Sequence, residues 1–110
     1  MKRYASNRVA IVHTDTILRN GVVEVDDVSH EVTQTFELDR EIRQTEWKGG
    51  VILVCKEFPQ REEEENFLSF MTRIQVEENL LETATLYAFH ITAFNVSAME
   101  FTSASRILPL

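Results

Sequence analysis

The hydrophobic pattern of this chain changes period twice. From Val22 to Val54 apolar residues recur at every second position or run without interruption. From Phe67 to Ile74 they recur every third or fourth, and from Thr85 to Phe94 the two-residue repeat returns. A repeat of two belongs to a pleated strand, and a repeat near 3.6 to a helix with one buried face. Strands, one helix and strands again, without a regular β–α–β rhythm, specify a small α+β domain. The expected architecture is a mainly antiparallel sheet of about five to six strands with one principal helix packed on one face. At 110 residues the chain reads as a single domain, residues 1–110, long enough to bury a core without disulfides or a metal.

Arg8–Val12 is short and β-branched, a first strand that His13-Thr14-Asp15-Thr16 interrupts with turn formers. Asn20-Gly21 lies between Ile17-Leu18 and Val22–Val25 and carries the strongest local hairpin signal, since both residues tolerate positive φ. Asp26-Asp27 reads as a second turn. His30–Leu38 alternates cleanly, with His30, Val32, Gln34, Phe36 and Leu38 on one side and polar residues on the other. Asp39–Trp47 is polar and irregular, and Gly49-Gly50 breaks the chain before Val51–Cys55. That run has no polar residue and reads as a central strand buried on both faces.

Arg61–Gln75 is expected to be helical, with Glu62–Glu65 in its first turn, where carboxylates complement the helix dipole. Phe67, Phe70, Met71 and Ile74 form its stripe, and Leu81 falls in phase for an extension toward Glu82. Thr85–Phe94 has apolar residues on both faces and reads as an interior strand. Ser97 and Glu100 have capping-box spacing for one turn of helix, and Ser105–Leu110 ends the chain as a short strand or apolar tail.

The net charge is −7, divided as −2 over residues 1–55 and −5 over residues 56–110. An acidic surface repels phosphate backbones and anionic lipids, so nucleic acid and membrane are not expected partners. Cys55 is the single cysteine, which excludes an internal disulfide. No apolar h-region follows Lys2-Arg3-Tyr4 and no run approaches the ~20 residues of a bilayer span, so a cytoplasmic location is expected.

Residues able to carry chemistry are few. His13, His30 and His90 are far apart in sequence and lack the close spacing that lets one element hold zinc. A site built from His30, His90 and Cys55 across three strands is conceivable, but ordinary histidines and a buried thiol are the simpler reading, and neither metal nor cofactor is expected. Cys55 follows four apolar residues, which favours an inert thiol over a nucleophile. Glu62–Glu65 read as solvated, since paired catalytic carboxylates need unlike environments. Gly49-Gly50 enters a strand, with no Gly-Lys-Ser/Thr to make a phosphate loop.

Trp47, the only tryptophan, sits in a polar loop beside those glycines and is an interaction candidate as well as a plug for the sheet end. Leu108 and Leu110 form an apolar terminus that docks on its own sheet or on a second subunit.

Residues 9–25, from Val9 through Asn20-Gly21 to Val25, resemble the opening β segment of metal-dependent amidohydrolases. The resemblance spans 17 of 110 residues and lacks that family's His-x-His metal site. It implies a β-meander without the activity and carries no functional residue across. The function expected from the residues is a non-enzymatic interaction or scaffold domain that self-associates as a homo-oligomer or binds another protein. The alternative is a small-ligand binding protein or hydrolase with a pocket between helix and sheet, lined by His30, Gln34 and His90.

Overall fold

The computed structural model describes residues 1–39 and 44–110. β1 (Lys2–Ile11) and β2 (Thr16–Val25) form a long antiparallel ribbon, and β3 (Val32–Glu37) lies antiparallel to β2. The other edge of β1 pairs in parallel with β4 (Thr45–Trp47) and then with β5 (Val51–Cys55). After α1 (Phe67–Asn79), β6 (Tyr87–Ile91) returns antiparallel to β5, and β7 (Ile107–Pro109) lies antiparallel to β6. The sheet order is β3-β2-β1-β5-β6-β7, with β4 beside β1. This is the expected α+β fold, a mostly antiparallel sheet with a single helix on it, in seven strands.

β4 lies in the stretch Asp39–Trp47 expected to be irregular. At three residues it is too short to show a period, and residues 40–43 of that stretch lie outside the described ones. The Asn20-Gly21 hairpin is corrected. Those residues sit within β2, and the chain reverses instead at Val12–Asp15, where a 3₁₀ turn ends with Asp15 at φ 51° and its N–H donating to the Val12 carbonyl.

Asn20 does keep a positive φ of 47°, and this has a larger consequence than a turn. Tyr4 and Val23 face the same apolar cluster as Val9 and Leu18, although the step along each strand is five positions, which simple alternation would place on opposite faces. Both strands therefore exchange faces once, between Ser6↔Gly21 and Arg8↔Arg19. The ribbon folds over at that point. The backbone passes closely there, because a Cβ on Gly21 would lie 2.6 Å from Val9 Cγ2. On the β5 side the bend is fixed by Ser6 Oγ donating to the Gly50 carbonyl at 2.7 Å and by the Gly50 N–H donating to Asn7 Oδ1 at 3.0 Å.

The folded ribbon brings β3 back toward β6. Glu31 bridges Tyr87, and the Val32 N–H donates to the Leu86 carbonyl at 2.7 Å. The sheet thus curls round one apolar cluster that includes Tyr4, Val9, Val23, Val25, Ile52 and Val54. The opposite face of β5 and β6 packs against α1, where Val51, Leu53, Phe89 and Ile91 meet Phe67, Phe70, Met71 and Ile74. Val51–Cys55 is buried on both faces, as its composition requires.

α1 starts later than the sequence suggests. Glu62–Glu65 form a turn ahead of it, with Glu64 at φ 60° and the Glu65 N–H on the Glu62 carbonyl, so no glutamate stands in its first turn. The cap is Asn66, whose Oδ1 accepts the Ser69 N–H at 2.8 Å. Ser97 caps nothing: residues 96–99 are a turn between the bridged Asn95 and Glu100. The Glu100 carboxylate instead accepts the Phe67 N–H at 2.6 Å, at the start of α1.

Candidate functional site

The histidines and Cys55 occupy separate places. His13 is exposed in the Val12–Thr14 turn. His30 sits at φ 62° in the Asp26–Glu31 loop, beside Tyr87 and Leu110. His90 lies at the other end of β6, its Nε2 2.7 Å from the Gly49 carbonyl. Gln34 lies on β3 across a cleft from His13, not beside either His30 or His90. That cleft, of about 370 Å³, is the open end of the curled sheet, floored by Ile11, Val54 and Leu86. Among the described residues no three His, Cys, Asp or Glu side chains lie together so as to hold a metal ion. The space between helix and sheet is occupied by the phenylalanines of the core, with Phe70 and Phe101 edge to face at 5.3 Å between centroids.

Cys55 is fully buried, and its Sγ donates to the Glu57 carbonyl at 3.3 Å. Burial pushes its thiol well above the ordinary range, and the neighbouring Glu78 carboxylate pushes it further. The thiolate needed for nucleophilic attack is disfavoured on both counts.

Glu78 is the buried charge that the sequence reading passed over. It is 3% exposed, and both carboxylate oxygens accept the Lys56 N–H at 2.8 Å. The Lys56 ammonium reaches the carbonyls of Glu78 and Leu81, both at 3.2 Å. Together these bonds tie the end of α1 to the end of β5. Burial raises the Glu78 carboxyl, with the Lys56 N–H opposing the rise. One signal was available: Glu78 falls four residues after Ile74 and seven after Met71, on the apolar stripe itself.

The opposite face of α1 is also apolar. Leu68, Val76 and Leu80 are 78%, 60% and 79% exposed. With Thr72 they occupy a single row at four-residue intervals. A groove of about 650 Å³ separates this row from the parallel row Ser69, Arg73 and Glu77. Arg73 stands at the groove's edge, donating to Glu65 at 2.8 Å and to Glu77 at 3.0 Å, which holds the Glu65 carboxyl below its ordinary value.

The other interaction candidates are placed as follows. Trp47 is half-exposed on β4. Leu108 is half-exposed on β7, while Leu110 packs against the inner cluster and its N–H donates to the Ala88 carbonyl at 3.0 Å, so the terminus docks on its own sheet. No described helix is long and apolar enough to cross a membrane. Comparison with protein-family models, with curated proteins and with solved structures found no match to this chain.

Proposed function

We propose that the chain is a non-enzymatic interaction domain and that its docking surface is the outer face of α1. The observation that carries this is the row Leu68, Val76 and Leu80, three large apolar side chains exposed along the only α-helix among the described residues and its C-cap. Single exposed apolar residues are ordinary, whereas three in one helical row, two of them lining a groove, mark an interaction site. The dispersal of His13, His30, His90 and Cys55 supports the same reading, because no pair of them is poised for acid–base or nucleophilic work. Docking takes one of two forms, self-association into a homo-oligomer or capture of another protein.

The test compares the native chain with the triple variant Leu68→Ser, Val76→Ser, Leu80→Ser. Sedimentation velocity reports self-association, and fluorescence anisotropy reports binding of amphipathic helical peptides with basic, acidic or neutral polar faces. The native chain is expected to associate in at least one arm, and the variant, with an unchanged circular dichroism spectrum, to lose it. A native chain that stays monomeric and binds no peptide overturns the proposal, as does a variant that matches it throughout.

A further inference from the structure

Given that α1 is the docking surface, we infer that its occupant is a cationic amphipathic helix from another protein rather than a second copy of this chain. Residues 57–82, which contain α1 and its flanks, hold eight Glu and two Arg, a net of −6 out of the chain's −7. Both arginines are engaged within the segment itself. Arg73 is bound to Glu65, Glu77 and Glu62. Arg61 lies 4.1 Å over the Phe101 ring and donates to the Glu65 carbonyl. Glu63, Glu64 and Glu82 make no ion pair among the described residues.

An exposed apolar row carried by an acidic segment is complementary to a helix whose apolar stripe is flanked by Lys or Arg. The groove has the matching shape. A channel between two rows of four-residue spacing receives the equivalent ridge of another helix, the axes crossing at roughly −50°. A second copy would bring the same shape but also the same carboxylates, and like charges facing each other across an interface oppose pairing.

The test uses the full chain and a synthetic peptide of roughly 18 residues built from Leu and Lys at helical spacing. Two controls accompany it, a Leu/Glu peptide of the same pattern and a Leu/Lys peptide shuffled to destroy the period. The patterned Leu/Lys peptide is expected to bind at least about tenfold tighter than either control, and to weaken at least about tenfold between about 50 mM and about 500 mM salt. The triple serine variant should lose that binding, with Val76→Glu as a second variant should the first fail to fold.

Equal binding of either control, or of the serine variant, overturns the inference. So does a homodimer that tightens as salt screens its repulsion. That last result leaves α1 as the docking surface and assigns it to a second copy. A monomer indifferent to every peptide removes both.

Discussion

Replacing Glu78 with alanine tests whether the tie between α1 and β5 is what the geometry makes it. The substitution removes the acceptor that meets the Lys56 N–H at 2.8 Å with both oxygens. Leaving a buried N–H without a partner costs about 1–3 kcal/mol. For a chain of this length about 1 kcal/mol moves the melting midpoint by roughly 4 °C, so Glu78→Ala should melt about 4–12 °C below the native chain where Glu78 is protonated.

The pH dependence of that gap is the sharper readout. Burial raises the Glu78 carboxyl above its ordinary 4.5, so the folded state holds the proton more tightly than the unfolded chain does. In the window above 4.5 the native state therefore binds more protons, and its stability falls as pH rises through the folded value. Alanine has nothing to titrate, and the groups remote from Glu78 cancel in the difference. The midpoint gap between native chain and variant, followed from about pH 5.5 to about pH 8, should accordingly narrow as pH rises through the folded value. Both conditions lie on the anionic side of the pI near 4.9, away from the solubility minimum. Differential scanning calorimetry of both proteins in matched buffers measures it. Glu78→Gln, which keeps an acceptor oxygen without the charge, should recover part of the stability and show no such narrowing relative to alanine. A gap that is constant, or that widens toward pH 8, refutes the assignment of Glu78 as a desolvated carboxylate.

Gly21→Ala should destabilise the chain by about 1–3 kcal/mol, the usual cost of overpacking, because its Cβ would fall 2.6 Å from Val9 Cγ2. Val9→Ala in the same molecule should recover part of that loss, and urea melts showing simple additivity would remove the close approach from the account. Asn66→Ala should cost about 1 kcal/mol through loss of the cap on Ser69, read from the same melts, and Asn66→Asp should restore it. Cys55 should react with Ellman's reagent only as the chain unfolds, since burial and Glu78 both hold its thiol protonated. Prompt stoichiometric labelling of the native protein would contradict that.

The elements that could be read from the sequence are those whose burial is periodic. Val51–Cys55 is apolar at every position and is the central strand. Phe67, Phe70, Met71 and Ile74 do form the inner face of the helix, and Tyr87, Phe89 and Ile91 do share one face of β6. What the pattern could not supply was decided by backbone geometry and side-chain hydrogen bonds. Asn20-Gly21 has the composition of a hairpin, but the nine-pair ladder with β1 continues on both sides of Asn20, whose positive φ is spent on folding the ribbon over. Glu62–Glu65 have the composition of a first helical turn, yet Glu64 takes a positive φ and Asn66 supplies the cap. Glu100 reaches the start of α1 across 33 residues of sequence, a distance at which no local motif operates.

The same division separates what the fold requires of α1 from what it leaves free. The inner stripe and Glu78 fix the helix on the sheet, and substituting any of them changes buried contacts. Leu68, Val76 and Leu80 lie mostly in water, so serine at these positions removes little buried contact. Water-facing leucines and valine in the row lower the amphipathic contrast that orients a helix on its sheet. Their presence is therefore not accounted for by burial against the sheet. Nor is the placing of nearly all the net charge around that one helix, since crowded carboxylates repel one another whether or not a partner is near. A helix that is apolar on its outer face and lies in the most acidic segment of the chain offers both terms of a specific interface at once. The apolar row supplies area to be covered, and the charge selects what is able to cover it.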